Sequence, residues 1–364
     1  LVIPSCHFIP EATMQAILKL AKNGAKVIFA DHLPKDVPGL NKLDKRRSFL
    51  NELKHEIPIR SFDSGSHVAY GKGEIIYGTD ADRILSFSNV QREQLVDTKL
   101  KFIRRKDVDG YHYFLANQQA DAIDGWVPLA VKASSAIIFD PYTGASGIAQ
   151  VKTQGNHSEI YLQIKPGQSL IIKTFTSKKI TGKAWSYYER KDEPIAINGK
   201  WKLSFTQGSP AIKKTFDLDT LTSWTGLNDS TKVFAGTGKY DVSFEMPDVK
   251  ADEWLLDLGE MDVSARVKVN GHNAGVVWAV PFQINISRFL KKGENHLSIE
   301  VTNLPANRIA EYDQKDIPWK IFYDINVVNL DYKPLNAADW KPLPSGLTGP
   351  LQLIPLKKIE GDFK

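Results

Sequence analysis

The sequence predicts a multidomain protein in which an α/β domain precedes two all-β domains. Three observations support this fold class. The chain has 364 residues, which is too long for one ordinary hydrophobic core. Its first part alternates short apolar runs with helical periodicity, whereas the later part consists of short alternating runs separated by turn residues. We therefore place domains at 1–98, 99–195 and 196–364.

The first domain alternates strands with helices. Predicted strands cover 1–3, 25–29 and 73–77. A first helix is predicted to open at Pro10-Glu11 and to end near Gly24, and further helices cover 40–54 and roughly 81–88, the last capped by Asp80. This alternation predicts a parallel sheet covered on both faces, that is, a partial doubly wound domain. Because such sheets need more strands, we expect about half of the domain to precede residue 1. The alternative is a small two-layer domain that is complete as it stands.

Cys6 lies between the first predicted strand and helix, where class I glutamine amidotransferases carry a nucleophilic cysteine. Such a strained elbow needs small neighbours, but Ser5 and His7 flank Cys6. No histidine and acid follow at a recognisable spacing. We therefore interpret the domain as amidotransferase-like in fold and Cys6 as a buried structural thiol.

The second domain has the alternation of an all-β sandwich. A hairpin is predicted around Asp109 and Gly110, between strands at 101–105 and 111–116. Further strands are predicted at 126–131, 136–139, 159–164 and 169–174. Turn residues at 140–144 and 165–167 separate them.

The third domain is also all-β, with longer loops. The Asn270-Gly271 pair is the strongest hairpin signal in the chain. Strands are predicted at 201–205, 211–216, 239–245, 253–258, 263–269, 275–278, 282–286, 296–302 and 350–355. This number of strands predicts a jelly roll. We expect the proline-rich stretch 304–349 to be an irregular loop.

Composition and charge exclude several classes of function. Basic residues are scattered among nearly as many acids, and the net charge is +5, which argues against nucleic-acid binding. No apolar stretch reaches the ~20 residues of a membrane span. A single cysteine excludes an internal disulfide. The opening lacks an initiating Met and a basic leader, so we expect the chain to be cut from a longer polypeptide.

No residue is assigned to catalysis. A glycosidase needs two carboxyl groups about 5–10 Å apart, and the candidate acids are better interpreted as caps, turn residues or strand ends: Asp80, Asp82, Asp140, Asp257 and Glu260. No stretch is long enough for an eight-stranded α/β barrel. The eight histidines lack zinc-ligand spacing. Calcium stays open, because carbonyls and single carboxylates bind it.

Aromatic residues concentrate in the second half of the chain. The first tryptophan is Trp126, and seven of the eight lie between Trp185 and Trp340. Sugars stack their C–H faces on aromatic rings and bond their hydroxyls to planar polar groups. The alternative for each ring is packing in the sandwich core. We select as candidate carbohydrate-binding residues Trp224, Trp278, Asn303, Asn307, Arg308 and Tyr323.

Motifs in the third domain resemble the galactose-binding-like jelly roll of family 2 glycoside hydrolases. They lie at 236–240, 256–260, 265–271, 275–278, 281–286 and 293–304. The wider chain is similar to the C-terminal region of family 106 glycoside hydrolases, the α-L-rhamnosidases, through looser motifs at 1–10, 113–117, 140–144, 306–309 and 345–350. Together these resemblances cover nearly all of the chain.

The family 106 resemblance implies hydrolysis of α-L-rhamnosides by an inverting acid–base pair, assisted by calcium. It places the catalytic barrel upstream of this chain, so no catalytic residue is carried over. It implies a periplasmic or secreted bacterial location. The implied partners are an oligosaccharide or glycan and the upstream catalytic domain of the same polypeptide.

Three hypotheses follow. The chain is the tail of a hydrolase and supports its barrel, or it is a binding module that holds a glycan without the barrel. In the third, all domains serve only to complete the fold and mediate contacts. In each case we expect this segment alone to be inactive.

Overall fold

The computed structural model describes residues 1–59, 64–88, 90–155, 157–320 and 335–360. Contacts divide the chain into two compact units. The first comprises Leu1–Thr98 with Pro128–Lys132 and Gly155–Ser158, and the second comprises the remaining residues. The boundary after residue 98 lies where the sequence changes character. The predicted boundary between 195 and 196 stays a prediction.

A four-stranded mixed sheet forms the first unit. Its elements are β1 (Val2–Ile3), α1 (Glu11–Lys22), β2 (Lys26–Ala30), α2 (Leu43–His55), β3 (Ser66–Tyr70), β4 (Gly73–Gly78) and α3 (Ala81–Ser86). The strand order is β1-β2-β4-β3, in which β1, β2 and β4 are parallel and β3 is antiparallel. Strand β3 was not predicted from the sequence, whereas the other elements lie within a few residues of their predicted positions. Cys6, which was predicted to be buried, is only half-buried.

Apolar periodicity decides which faces of these elements are buried. Helix α1 buries Met14, Ile17, Leu18 and Ala21, the four positions expected from its spacing. Alternate residues of β2 point to opposite sides of the sheet: Val27 and Phe29 join the core with α1 and α2, whereas Ile28 contributes to a second core with Ile84 of α3. The sheet therefore carries helices on both faces. Asp80 caps α3 by accepting the backbone N–H groups of residues 82 and 83.

Eight strands follow. They are β5 (Lys101–Lys106), β6 (Gly110–Ala116), β7 (Ile123–Leu129), β8 (Ser135–Phe139), β9 (Ser146–Ile148), β10 (Val151–Gln154), β11 (His157–Ile164) and β12 (Ser169–Phe175). They form a five-stranded sheet of order β5-β6-β12-β8-β9 and a three-stranded sheet of order β10-β11-β7. Strand β11 is buried at every second residue, as expected when one side of a sheet faces a core.

The remaining strands build a second antiparallel sandwich. They are β13 (Tyr188–Arg190), β14 (Ile195–Ala196), β15 (Trp201–Ser209), β16 (Phe216–Leu218), β17 (Ala235–Glu245), β18 (Glu253–Asp257), β19 (Glu260–Met261), β20 (Ser264–Val269), β21 (His272–Val277), β22 (Gln283–Asn285), β23 (Glu294–Thr302), β24 (Leu347–Gly349) and β25 (Gln352–Lys358). A six-stranded sheet has the order β16-β15-β17-β23-β20-β21. A second sheet has the order β13-β25-β18-β22, with β14 also paired to β25, and one core takes side chains from both sheets.

The Asn270-Gly271 turn has the predicted geometry. Both residues have positive φ, 51° and 81°, and Val269 pairs with His272 across a two-residue loop. This is the pattern that Asn-Gly favours in hairpins. The Asn270 amide group also donates to the backbone oxygen of Phe289, 2.9 Å away. Asn270 is therefore a turn residue that also ties two loops together.

Helices occur where the sequence analysis expected loops. Helix α4 (Asp229–Lys232) and helix α5 (Ala306–Gln314) flank strands of the second sandwich. The expectation of an irregular loop over 304–349 was wrong for its first part, because α5 forms directly after Pro305. The strand expected at 211–216 was also misplaced, since β16 begins at Phe216. None of the helices within the described ranges is long and apolar enough to cross a membrane.

Candidate functional site

A tight turn between β8 and β9 presents an aromatic ring. The buried carboxylate of Asp140 accepts the backbone N–H of Tyr142 at 2.8 Å and the hydroxyl of Thr143 at 2.9 Å. The backbone N–H of Gly144 closes the turn on the carbonyl oxygen of residue 140, also at 2.9 Å. Asp140 is thus a turn residue, as expected, and its role is to hold Tyr142 in place.

Trp278 lies beside Tyr142. The indole side chain directly follows β21 and is 62% exposed. Its backbone N–H donates to the Tyr142 hydroxyl oxygen at 3.0 Å, and the two ring centroids lie 5.4 Å apart at an interplanar angle of 44°. The two rings therefore form an anchored pair with accessible surface.

A chain of hydrogen bonds places polar groups below these rings. The Lys165 ammonium donates to Oε1 of Gln283 at 2.5 Å, and the Gln283 amide donates to a carboxylate oxygen of Asp257 at 2.6 Å. Desolvation by surrounding atoms lowers the pKa of the Lys165 ammonium, and the nearby Asp257 carboxylate partly opposes this effect. Lys165 follows β11, whereas Gln283 begins β22.

One cavity of about 380 Å³, which we call the aromatic cleft, is lined by Tyr142, Trp278, Lys165 and Gln283. Its lining includes the aromatic rings of Phe114, Tyr142 and Trp278 and the polar side chains of Lys165, Gln168 and Gln283. The volume lies within the range of small-molecule sites. Apolar surface with a few polar groups at fixed positions is the usual composition of such sites.

Among the predicted sugar-binding residues that the structure describes, Trp278 alone lines this cleft. Trp224 was predicted to contact sugar, but its side chain is 0% exposed. Its ring packs edge-on against Phe205 and Phe234 in the sandwich core. Because no face of the indole reaches solvent, the structure removes Trp224 from the candidates and assigns it to the core.

The two predicted asparagines are buried and serve the fold. The Asn303 amide donates to the carbonyl oxygen of Phe234 at 2.8 Å, and its oxygen accepts the backbone N–H of Gly236 at 2.9 Å. Asn307 exchanges two hydrogen bonds with the backbone of Leu343. These side chains are only 7% exposed, and their polar atoms form hydrogen bonds with backbone groups of neighbouring loops. They are therefore not placed to contact a sugar.

Arg308 is paired within its own helix. Its guanidinium bonds to Glu311 and lies over the ring of Tyr312, 4.6 Å from the centroid. It stands outside the aromatic cleft. The last predicted residue, Tyr323, lies outside the residues that the structure describes.

The described residues that line the cleft include one acid, Asp140, and no cluster of metal-ligating side chains. Within the described part of the chain, no three histidine, cysteine or acidic side chains come together as a metal site requires. Calcium binding stays a prediction, since carbonyl oxygens and single carboxylates can also bind this ion. Asp140 is the acid that lines the cleft, and both of its carboxylate oxygens already accept hydrogen bonds within its turn.

Sequence reasoning missed Tyr142, Lys165, Gln168 and Gln283. The turns that carry Tyr142 and Lys165 were recognised, the first also as a family-like motif, but neither was assigned to a binding site. A tyrosine at the centre of an Asp-Pro turn was the available signal, because such turns expose the side chains at their tips. Nothing local connects those turns with Gln283, which lies more than a hundred positions away.

Comparison with known proteins shows a family similarity in the first part of the chain. Residues 1–153 match the sequence profile of a glycoside hydrolase family described as α-L-rhamnosidase. This part of the chain is similar to glycoside hydrolase family 106. The family 106 match includes Tyr142 and its turn. The similar motifs noted at 306–309 and 345–350 lie beyond the matched residues and stay predictions.

Two further relatives are informative. A protein of Formosa agariphila, provisionally named a β-glucuronidase, is 34% identical over 201 residues, covering 50% of this chain and 17% of that protein. The structure of a rhamnosidase from Novosphingobium sp. PP1Y aligns with a TM-score of 0.67 at 22% identity, covering 96% of this chain and 32% of the other. The second likeness concerns the fold. This chain thus spans less than a third of the length of either protein.

Proposed function

We propose that this chain is the non-catalytic, sugar-binding part of an α-L-rhamnoside hydrolase. In this proposal the catalytic carboxylates belong to a barrel that precedes residue 1. The family match over residues 1–153 supports glycoside hydrolysis as the activity of the whole protein. The aromatic cleft is the observation that supports sugar binding by this part of it.

The cleft has the two kinds of surface that a sugar needs. Trp278 and Tyr142 offer ring faces on which the C–H groups of a pyranose can stack. Lys165, Gln168 and Gln283 offer ammonium and amide groups to ring hydroxyls. The hydrogen bonds between Lys165, Gln283 and Asp257 hold two of these groups in place before a ligand arrives, which reduces the entropic cost of binding.

The acids near the cleft support a non-catalytic role. A general acid must be free to give its proton to the leaving group, and a second carboxyl must stand about 5–10 Å away. Both carboxylate oxygens of Asp140 accept hydrogen bonds within its turn. Asp257 accepts from the Gln283 amide and from the backbone N–H of Gly259. Both carboxylates are therefore committed to the architecture of the site.

Finer aspects of the architecture and location are part of the same proposal. We propose that the first unit continues as a doubly wound domain and that the second sandwich is a galactose-binding-like jelly roll. Its six-stranded and smaller antiparallel sheets around one core support the latter. We also propose a periplasmic or secreted location, because glycan chains are encountered outside the cytoplasm.

Calorimetry tests sugar binding. We expect the chain to bind a disaccharide of α-linked L-rhamnose, and we expect Trp278→Ala to weaken that binding at least about tenfold, since one stacking platform is lost. Trp340→Ala is the matched control: its ring is 45% exposed but lies outside the cleft, so affinity should not change. Thermal unfolding of both variants checks that the fold is intact.

The result also separates the alternatives. A chain that binds no rhamnoside, yet restores activity when mixed with the preceding part of the protein, would have a purely structural role. A chain that binds glycans tightly by itself, from a gene without a barrel, would be a stand-alone binding module.

A further inference from the structure

A second cavity adjoins the aromatic cleft. It has a volume of about 470 Å³, and we call it the distal cavity. The two cavities have four lining residues in common: Asp140, Lys165, Gln168 and Leu255. They therefore meet along one wall, and both lie within the second compact unit.

The distal cavity has an aromatic platform of its own. Trp185 lines it and is half-buried, and its indole N–H makes no hydrogen bond to any described residue. The backbone of Trp185 is held in place because its N–H donates to the carbonyl oxygen of Ile148 at 2.9 Å. Gly147 lets the two backbone segments approach closely, since a Cβ atom at this position would lie 2.5 Å from the backbone nitrogen of Trp185. The backbone at Trp185 is thus held in place, and the polar edge of its ring has no partner among the described residues.

Polar donors mark the wall between the cavities. The oxygen of the Gln168 side chain accepts the backbone N–H of Lys165 at 3.0 Å, which fixes the orientation of the amide. The amide nitrogen of Gln168 has no partner among the described residues. The Lys165 ammonium stands at the same wall, and Lys183 adds a further ammonium without an ion pair in the described part of the chain. Lys165 and Gln168 thus line both cavities, and Lys183 lines the distal cavity.

We propose that the aromatic cleft and the distal cavity form one groove that binds an oligosaccharide, not a single sugar. Trp278 with Tyr142 stacks one end of the glycan, Trp185 stacks the other, and Gln168 and Lys165 bond hydroxyls of the sugar that passes between. The proposal rests on the sugar-binding function of the cleft. It adds that affinity increases with the number of sugar units.

Titration with two ligands tests the groove. The probes are a disaccharide and a tetrasaccharide of α-linked L-rhamnose, each titrated calorimetrically into the full chain. We expect the tetrasaccharide to bind at least about tenfold more tightly, since a second platform is engaged. Trp185→Ala should abolish this difference and leave the affinity for the disaccharide unchanged. Trp278→Ala should weaken both ligands.

A second variant guards against misfolding. Ser146 lines the distal cavity and is exposed in β9, so Ser146→Trp should block the cavity without disturbing the core. It should reproduce the effect of Trp185→Ala, and Trp340→Ala should behave as the unmodified chain does. Equal affinity for the two ligands would overturn the groove. So would a higher affinity for the tetrasaccharide that persists in both Trp185→Ala and Ser146→Trp. Either result leaves sugar binding by the cleft intact. Failure to bind either ligand rejects the cleft and the groove together.

Discussion

Two tryptophans of the same sandwich show how context decides the role of a residue. Trp224 is fully enclosed by rings and sheet residues, whereas Trp278 follows a strand and projects into solvent. Both are aromatic residues near turns, so sequence alone offers the same alternatives for each. Only the packing of distant strands separates the structural ring from the one available to a ligand.

The burial of Trp224 predicts a large structural effect. We expect Trp224→Ala to lower the free energy of unfolding by about 3–5 kcal/mol, because it leaves a cavity within the core cluster. Chemical denaturation measures this loss. The exposed Trp340→Ala should stay within about 0.5 kcal/mol. A similarly small effect at Trp224 would contradict its assignment to the core.

The candidate site was predictable only in part because its members come from separate loops. Trp278 was selected from the clustering of aromatic residues. Tyr142, Lys165 and Gln283 reach the same cavity through strands that pair across long sequence separations. Local patterns report which residues form a turn, but they do not report which turns meet.

At the scale of elements, local periodicity predicted well where the signal was strong. The apolar positions of α1 and the Asn-Gly hairpin follow directly from spacing and turn chemistry. Helix α5 was missed because its surroundings are rich in proline, a pattern typical of loops. Pro305 is in fact its N-cap residue, where the missing N–H does no harm, and Asn307 and Ala310 are buried on the inner face.

The Asn270-Gly271 hairpin allows a clean test of backbone conformation. A Cβ atom at Gly271 or at Gly226 would meet nothing within 4 Å, but only Gly271 has a positive φ. We expect Gly271→Ala to lower the free energy of unfolding by about 1 kcal/mol and Gly226→Ala to change it by less than half of that. Denaturant titration of both variants measures the difference. Equal effects would mean that the strain at Gly271 is not decisive.

The hairpin of β5 and β6 carries a charge cluster that predicts a pH dependence. The buried Lys173 ammonium bonds to Asp107 at 2.6 Å and to Asp109 at 2.7 Å. Its hydrogen bond holds the pKa of the Asp107 carboxyl below the usual value. A lowered pKa in the folded state stabilises the protein above the ordinary aspartate pKa, and this contribution is lost as the pH falls through the folded value.

Asp107→Asn should therefore lower the midpoint of thermal unfolding at pH 7, and the deficit should shrink as the pH falls below the ordinary aspartate pKa of about 3.9. Thermal melts across this pH range provide the measurement. Asp192→Asn, on an exposed segment, is the control and should follow the parent chain throughout. A deficit independent of pH would assign the effect to packing instead of charge.

At the scale of the whole molecule, the proposal predicts binding without turnover. We expect the purified chain to release no chromophore from an aryl α-L-rhamnoside, because the acids near the cleft are committed to turns and strand ends. Mixing with the preceding part of the protein should restore hydrolysis. Robust hydrolysis by this chain, abolished by replacing one of its carboxylates, would contradict the proposal.

The exposure of Trp278 beside the Tyr142 hydroxyl also gives the protein an optical reporter. Indole emission shifts to shorter wavelength when water leaves the ring, and a ligand stacked on Trp278 would remove that water. The indole of Trp224 is already shielded from water, so its emission should not change when a ligand binds. Filling of the cleft could thus be followed by intrinsic fluorescence, without any label attached to the protein or to the glycan.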